Sequence, residues 1–173
     1  EEVSRRNKAV RRPVPPDPRY DSQTVSKFIN ALMSEGKKSV AERVFYSAMD
    51  AMLERNKRAM RELIRRTVPE TKQYFEDYIC DDGLDMGPYK IACTMWREGD
   101  KCIFDFSGTD PQSISSINFL LNEEMFKMFA GVYMIMVFDP QILFNDGFYD
   151  LMDVRIPPGT LLNPLKPAAL SCR

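Results

Sequence analysis

The sequence contains no histidine among its 173 residues. Histidine is the commonest general base at neutral pH and the commonest protein ligand of transition metals. Its absence excludes Ser–His–Asp and Cys–His catalysis, and also His-ligated zinc or manganese, within this chain. No catalytic residue and no cofactor are predicted for this chain, because neither part of it contains a complete active site.

Long hydrophobic runs are also missing. A membrane-spanning helix needs roughly 20 apolar residues, and the best run here, Phe126–Phe138, is too short and is interrupted by Lys127. The N-terminus is charged and rich in proline, without the apolar core of a signal peptide. We expect a cytoplasmic protein with no membrane partner. Its four cysteines lack CxxC spacing and are expected to be reduced thiols: Cys80, Cys93, Cys102 and Cys172.

The formal net charge is only −1, but the charges are unevenly distributed. Residues 1–66 contain 16 Lys and Arg against 9 Asp and Glu, whereas residues 67–173 contain 8 against 16. Such an asymmetry indicates two origins or two kinds of partner for the two parts of the chain.

The basic N-terminal segment, residues 1–20, contains four prolines that disfavour a helix and favour an extended arm. An extended arm rich in arginine can follow a nucleic-acid backbone and release its counterions. A disordered, solvated tail has the same composition, so both interpretations stay open. The basic residues concerned are Arg5, Arg6, Lys8, Arg11, Arg12 and Arg19.

Two helices are predicted next, forming a hairpin. The first covers about residues 23–34, and Gly36 ends it before a turn that contains Lys37 and Lys38. Ser39, with Glu42 three residues later, has the spacing of a capping box. The second helix covers residues 39–66 without Gly or Pro, either as one long linking helix or as two in tandem with a break near Asn56.

The run PPDPRYDSQTVSKFINALMSEGKKSVAERVFYSAMD resembles the N-terminal region of ribosomal protein S7, over about residues 4–52. The matching features are the Pro-Asp-Pro approach, the Phe28–Ile29 pair and the Gly36-Lys37-Lys38 turn. In that family the arm and the turn meet ribosomal RNA. The resemblance thus implies ribosomal RNA as a partner, bound by Arg5, Arg6, Lys8, Arg11, Arg12, Lys37 and Lys38.

The period of the hydrophobic pattern changes after Arg66. Three segments with strand-like alternation, Gln73–Ile79, Tyr89–Trp96 and Lys101–Phe106, predict a β-meander. An apolar helix over Asn118–Phe138 and a final strand over Leu151–Ile156 follow. The expected fold class is therefore α+β.

Two features of this second part invite a functional interpretation. The apolar stripe of the predicted 118–138 helix is wider than one buried face needs, so it fits either a core helix or a partner-binding groove. The aspartates around Gly83 are the only metal-like constellation, although their spacing differs from an EF-hand and equally suits a solvated turn. They are Asp81, Asp82 and Asp85.

About residues 54–173 resemble the hydantoinase B/oxoprolinase family, specifically the acetone carboxylase large subunit. The markers are the sequences DDG at residue 81, DFSG at residue 105, IN at residue 117, NDG at residue 145 and PGTLL at residue 158. Such enzymes use ATP to activate a carbonyl substrate for carboxylation, or hydrolyse cyclic amides. The resemblance implies a fold fragment and a contact surface for carboxylase-type partner subunits. The histidine-containing metal site of the carboxylase has no counterpart in this chain.

We thus predict an extended arm (residues 1–20), an S7-like hairpin (21–53) and a hydantoinase B-like α+β segment (54–173). The leading hypothesis is a fusion-like composite whose larger part is a catalytically incomplete fragment; whether it is an enzyme subunit is left open. One alternative is an S7-like RNA-binding module. The other is a designed or scaffold α+β domain with no enzymatic function.

Overall fold

The computed structural model describes residues 13–171. Within that span the α+β class is confirmed, with three α-helices, four strands and one 3-10 helix. None of these helices is long and apolar enough to cross a membrane. The elements are α1 (Gln23–Leu32), α2 (Lys38–Thr67), β1 (Gln73–Ile79), β2 (Tyr89–Glu98), β3 (Lys101–Asp105), α3 (Glu123–Phe138), the 3-10 helix (Asp146–Leu151) and β4 (Met152–Arg155).

The chain divides into two compact units, Glu1–Ala51 (unit 1) and Met52–Arg173 (unit 2). The predicted division lay between residues 53 and 54. Unit 1 contains ten basic and seven acidic residues, and unit 2 contains fourteen and eighteen. The charge asymmetry between the units is therefore smaller than the one between residues 1–66 and 67–173.

The second half of α2 accounts for this difference, because its basic side chains belong to unit 2 and pair with acidic residues of the same unit. Lys57 contacts Asp150 at 2.7 Å, and Arg65 contacts Asp100 at 2.6 Å. Much of the positive charge of this helix is thus neutralised within unit 2.

α2 is one continuous helix, so the alternative of a break near Asn56 is not realised. The Asn56 side chain is 2% exposed, and its amide donates a 2.6 Å hydrogen bond to the carbonyl oxygen of Leu143. Asn56 thus makes a tertiary hydrogen bond, and the helix continues through it. The predicted capping box is not realised either, because α2 begins at Lys38 and Ser39 lies in its first turn.

In unit 1, α1 begins after Ser22, whose hydroxyl accepts a hydrogen bond from the amide of Val25. Ser22 thereby satisfies one of the free amides at the start of the helix. α1 ends at Leu32, and the turn to α2 uses positive φ angles at Glu35 (50°) and Gly36 (73°). The predicted helical hairpin is thus present.

Unit 2 is built on a four-stranded sheet in the order β1-β2-β3-β4. The β1–β2 and β2–β3 pairs are antiparallel, which confirms the predicted three-stranded meander. β4 pairs with β3 in parallel, with α3 lying between them in the chain. The sheet is therefore mixed, an arrangement that the separate strand patterns did not reveal.

One face of the sheet packs on α2, α3 and the 3-10 helix. Phe148 lies at the centre of this core, opposite Gly131 of α3; a Cβ atom at Gly131 would lie 2.2 Å from the Phe148 ring. Glycine is therefore required there for close packing. The buried cluster consists of Met60, Leu63, Ile64, Val68, Cys102, Phe104, Phe106, Met134, Ile135, Phe148, Leu151, Met152, Val154 and Leu162.

The apolar helix begins five residues later than the predicted Asn118, at Glu123. Residues 118–122 are instead held in an extended path, because the amides of Phe119 and Leu121 donate to the carbonyl oxygens of Leu161 and Leu162. Asn122 then caps α3 by accepting a 2.9 Å hydrogen bond from the amide of Met125.

Candidate functional site

Five polar side chains converge in unit 2 where the β1–β2 loop meets the loop that follows β3. We call Asp82, Tyr89, Ser113, Ser115 and Asn118 the Asp82 cluster. Tyr89 is half-buried, and the other four residues are buried. Buried polar groups are costly unless they are hydrogen-bonded, so their partners decide what the cluster can do.

The Asp82 carboxylate is at the centre of this cluster. Its Oδ1 atom accepts hydrogen bonds from the amides of Leu84 (2.9 Å) and Met86 (3.2 Å). Its Oδ2 atom accepts from the hydroxyls of Tyr89 (3.1 Å) and Ser113 (3.2 Å). Burial raises the pKa of Asp82, but these four donors outweigh it and hold the pKa below its usual range.

Asn118 connects the cluster to the C-terminal part of the unit and is fully buried. Its Oδ1 atom accepts from the amide of Ser113 at 2.8 Å. Its Nδ2 group donates to the carbonyl oxygens of Ser113 (2.7 Å), Ser115 (3.0 Å) and Ala169 (2.9 Å). The Asn118 side chain therefore connects the loop after β3, at Ser113 and Ser115, to the C-terminal segment at Ala169.

An open cavity of about 400 Å³ adjoins the cluster. Tyr89 and Ser113 belong to both, so their hydroxyls are the polar groups that a bound molecule would meet. A general base works best with a pKa near the operating pH, whereas the pKa of Asp82 is lowered. The cluster is therefore suited to holding the loops or a small polar molecule, and poorly suited to activating Ser113. The cavity is lined by Met86, Gly87, Pro88, Tyr89, Asp110, Pro111, Gln112, Ser113 and Ile114.

The three aspartates of the metal hypothesis do not act together. Asp82 faces the cluster, whereas Asp81 is exposed and its Oδ1 accepts from the amide of Gly83 at 2.8 Å. Asp85 is exposed and has a positive φ angle of 58°. Across residues 13–171 there is no group of three or more His, Cys, Asp or Glu side chains that could hold a metal ion. The metal site remains a prediction from sequence spacing alone.

A second cavity, of about 540 Å³, is a groove lined by charged side chains of both signs. Lys127 contacts Glu123 at 2.6 Å, and the groove residue Asp150 contacts Lys57 at 2.7 Å. Because side chains of both signs line it, the groove offers no surface of a single charge to a ligand.

The predicted RNA-binding residues fall into two groups. Lys37 and Lys38 lie exposed at the turn between α1 and α2; Lys37 contacts Glu35 at 2.7 Å, and Lys38 contacts Glu42 at 3.7 Å. These are exposed pairs, which contribute only about 0–1 kcal/mol and leave both amines available. The arm residues Arg5, Arg6, Lys8, Arg11 and Arg12 lie outside the described residues, as does Cys172. The other three cysteines are free thiols: Cys80, Cys93 and Cys102.

Asp17 is an organising residue of unit 1 that the sequence interpretation missed. It is 2% exposed and accepts hydrogen bonds from the Tyr46 hydroxyl and from the amides of Arg19 (3.0 Å) and Tyr20 (2.7 Å). The bond to Asp17 is the main reason why the pKa of Tyr46 is raised to about 12. An Asp followed by Pro is a turn signal, and this could have identified the position.

Comparisons with known proteins find two kinds of relative. A sequence model of the hydantoinase B/oxoprolinase family matches residues 19–173. Among solved structures, an ATP-dependent caprolactamase from Pseudomonas jessenii shares the fold with a TM-score of 0.65. The match is 24% identical and covers 86% of this chain and 25% of the caprolactamase chain.

A second set of relatives matches a shorter part of the chain. The small ribosomal subunit protein uS7 of Gemmatimonas aurantiaca is 69% identical over 48 residues, 28% of this chain and 31% of that protein. The uS7 protein of Chloroflexus aurantiacus is 48% identical over 66 residues, 38% of this chain and 42% of its own length. The chain thus spans less than half of these two relatives. The resemblances to the hydantoinase B/oxoprolinase family and to ribosomal protein uS7, and with them the composite character of the chain, are confirmed.

Proposed function

Because the chain belongs to the hydantoinase B/oxoprolinase family, we propose that unit 2 is a folded but catalytically incomplete segment of that family's body. In this proposal it is most similar to the acetone carboxylase large subunit, and it forms the larger part of a fusion-like composite. The observation that carries the proposal is the closed hydrogen bonding of the Asp82 cluster. Both carboxylate oxygens are occupied, and the lowered pKa of Asp82 makes it a weak base.

The groups around the Asp82 cluster determine which reactions unit 2 could catalyse. Carboxylation of a ketone and hydrolysis of a cyclic amide both need an activating group near the carbonyl carbon. The Asp82 cluster offers only the hydroxyls of Tyr89 and Ser113, and the sequence has no histidine to deprotonate either. We therefore expect the cavity of about 400 Å³ to bind a small polar molecule weakly and to convert none.

The test is a pair of activity assays on the chain by itself. One contains ATP, bicarbonate, manganese and acetone, with detection of acetoacetate; the other contains ATP and caprolactam, with detection of the ring-opened amino acid. A Ser113→Ala variant is the matched control. We expect no product above the control in either assay. Turnover that exceeds the control would overturn the proposal.

A second function is proposed for unit 1, on the strength of its similarity to ribosomal protein uS7. We propose that it binds ribosomal RNA through Lys37, Lys38 and the arm that contains Arg5, Arg6, Lys8, Arg11 and Arg12. The supporting observation is the exposure of Lys37 and Lys38 at one turn, where both amines can reach a phosphate backbone. Carboxylase-type partner subunits, if the chain has any, would contact unit 2.

Fluorescence anisotropy with a ribosomal RNA fragment tests this second proposal over a range of salt concentrations. Affinity should fall steeply with salt, because each neutralised phosphate contributes a slope of about −0.7 to −0.9 to a plot of log affinity against log salt. Lys37→Ala/Lys38→Ala should reduce the magnitude of the slope by about 1.4–1.8. The control, Lys72→Ala/Lys101→Ala in unit 2, should leave it unchanged. An absence of binding at low salt, or equal effects of the two variants, would contradict the proposal.

A further inference from the structure

β1 is an outermost strand of the sheet in unit 2, so one of its long sides has no strand beside it. Its pairing with β2 runs without a bulge over all seven residues, Gln73–Ile79. The strand contains neither proline nor lysine. Bulges, prolines and lysines are common devices that keep an edge strand from pairing with another chain. β1 has none of the three, and its edge is therefore open to a further strand.

The hydrogen bonds of β2 identify the residues of β1 that face this open edge. In an antiparallel sheet, the N–H and C=O groups of one residue point to the same side, and those of the next residue point to the other side. Lys90 of β2 bonds to Asp110 in the loop after β3, through its carbonyl oxygen (2.9 Å) and its amide (2.7 Å). Its partner in β1, Tyr78, therefore receives no bond from it and points its backbone groups outward. By the same alternation, Tyr74 and Glu76 also face the open edge.

Most backbone groups at this edge are available to a partner. Within residues 13–171, no other element bonds to the amides of Tyr74 and Glu76, or to the carbonyl oxygens of Tyr74, Glu76 and Tyr78. The amide of Tyr78 donates to the Oδ1 atom of Asp77 at 2.8 Å. An added antiparallel strand exchanges N–H···O=C bonds with each outward-facing residue, so these amides and carbonyl oxygens can all be paired by it.

The side chains on one face of the edge hold a carboxylate in a fixed position. Tyr74, Glu76 and Tyr78 share this face, because alternate side chains of a strand point the same way. The hydroxyls of Tyr74 and Tyr78 donate to the two oxygens of the Glu76 carboxylate, at 2.7 Å and 3.2 Å. All three residues are exposed. A carboxylate has about four acceptor positions, so Glu76 can accept further hydrogen bonds from a partner.

The charge of β1 is entirely negative. Its charged residues are Glu76 and Asp77, which are exposed and lie on opposite faces of the strand. None of the ion pairs found within residues 13–171 includes either of them. Lys72, just before the strand, lies over the ring of Trp96 at 4.7 Å. The open edge therefore favours a partner with positive charge.

We propose that the open edge of β1 binds an extended segment of a partner protein, which adds a fifth strand to the sheet and carries two consecutive basic residues. The residues opposite Glu76 and Asp77 in such a strand point to opposite faces, so each basic side chain meets one carboxylate. β-branched or aromatic residues beside the basic pair can pack on the exposed rings of Tyr74, Phe75 and Tyr78. The backbone bonds supply affinity, and the charges select the partner.

The same charges disfavour two other occupants of the edge. The β1 strand of a second copy brings two more carboxylates and no basic residue. Full antiparallel overlap of two such strands also places Glu76 opposite Glu76 of the other copy, and like charges in that position are destabilising. A nucleic acid carries negative phosphates and is repelled in the same way. A basic peptide segment is the occupant that matches both the backbone groups and the charge.

NMR titration of the isotope-labelled full chain with two synthetic peptides tests the proposal, and it does not depend on whether unit 2 catalyses a reaction. The first peptide has two consecutive arginines within alternating valine and threonine, and the control peptide has two glutamates in their place. We expect the arginine peptide to bind about tenfold more tightly, because two attractive cross-strand pairs replace two repulsive ones. Equal affinities, or no binding of the arginine peptide at about 1 mM, would overturn the proposal.

Amide hydrogen exchange distinguishes strand addition from simple attraction between side chains. In the free chain, the amides of Tyr74 and Glu76 should exchange faster than those of Phe75 and Asp77, which face β2. The arginine peptide should slow exchange at Tyr74 and Glu76, because their amides then donate to its carbonyl oxygens. Peptide binding that leaves these two amides unprotected would contradict the addition of a strand.

Charge reversal tests the selection of the partner. Glu76→Lys should weaken binding of the arginine peptide several-fold and strengthen binding of the glutamate peptide. Glu98→Lys is the matched control, because Glu98 is also exposed but lies in β2, six residues beyond Ala92, the residue opposite Glu76. It should leave both affinities unchanged. If Glu76→Lys fails to fold, as judged by circular dichroism, the exchange measurement on the unaltered chain decides alone. The same peptide preference in folded Glu76→Lys and in the parent would contradict the proposal.

Discussion

Unit 1 and unit 2 differ sharply in how much apolar surface they bury. Fourteen buried side chains form one continuous cluster, and all of them belong to unit 2. In the described part of unit 1, residues 13–51, the buried apolar residues are Ile29 and Ala41, whereas Phe28 is 56% and Val44 is 52% exposed. A small unit with so few buried residues is expected to be marginally stable. Unit 1 is thus held by aromatic and polar contacts near its surface, including the ring pairs Phe28–Phe45 and Tyr20–Phe45, whereas unit 2 is held by its core.

The polar contacts of unit 1 centre on Asp17 and Arg19. The Arg19 guanidinium contacts both carboxylate oxygens of Asp50, at 2.6 and 3.2 Å, and lies 5.4 Å from the ring centroids of Tyr20 and Tyr46. Asp17 in turn accepts a hydrogen bond from the hydroxyl of Tyr46. These contacts connect the segment before α1 to the first half of α2.

Removal of a core aromatic ring should produce the largest difference in stability loss between the two units. Phe148→Ala should lower the free energy of unfolding of unit 2 by about 3–5 kcal/mol, because it removes a fully buried side chain at the centre of the cluster. Phe28→Ala in unit 1 should cost less than about 1 kcal/mol, since most of the ring is already exposed. Urea unfolding followed by Trp96, the single tryptophan, reports on unit 2. Similar losses for the two variants would contradict the difference between the cores.

A smaller effect is expected from the Asp82 cluster. Asn118→Ala should destabilise unit 2 by about 1–3 kcal/mol, because it leaves buried amide and carbonyl groups of Ser113 and Ser115 without partners. Asn122→Ala is the control, since it removes only a helix cap, worth about 1 kcal/mol. If the control were the more damaging of the two in urea unfolding, the cluster would not be a structural element of unit 2.

How far these features could be predicted from the sequence depends on the range of the interactions. The strands β1, β2 and β3 were predicted within about two residues, because their alternation is a local pattern. The parallel pairing of β4 and the extended path after Asn118 were not, since both depend on partners far away in the chain. β4 pairs with β3 some 50 residues earlier, and the amides of Phe119 and Leu121 donate to the carbonyl oxygens of Leu161 and Leu162. The Asp82 cluster was predicted only in part. Asp82 was singled out as a candidate metal ligand, but its partners Tyr89 and Ser113 lie 7 and 31 residues away in the chain and were not identified.

Acid should affect each unit through a different carboxylate. Hydrogen bonds hold the pKa of Asp17 in unit 1 and of Asp82 in unit 2 below the usual 3.8, although burial opposes them. Each therefore contributes stability above that value, and the contribution is lost as the pH falls through the lowered pKa of the folded state. Asp82→Asn should flatten the loss of unit 2 stability in acid, and Asp17→Asn should do so for unit 1 only. Unit-specific NMR signals measure both, and an unchanged acid profile in either variant would refute its assignment.

The smallest effect is expected from an exposed ion pair. Lys57→Ala breaks the 2.7 Å contact with Asp150, whose side chain is 79% exposed, and should cost about 0–1 kcal/mol. Raising the salt concentration should remove most of this difference between variant and parent. A loss above 2 kcal/mol in urea unfolding would mean that charge pairing, rather than the core, stabilises unit 2.

Native-state hydrogen exchange tests most directly whether the chain is a composite of two units with separate cores. We predict that the amides of α1 exchange through openings of lower free energy than those of β2 and β3, because few apolar residues are buried in unit 1. Phe148→Ala should then accelerate exchange in β2 and β3 and leave α1 unchanged. Equal protection of α1 and the sheet, with an equal response of both to Phe148→Ala, would contradict the division into two units.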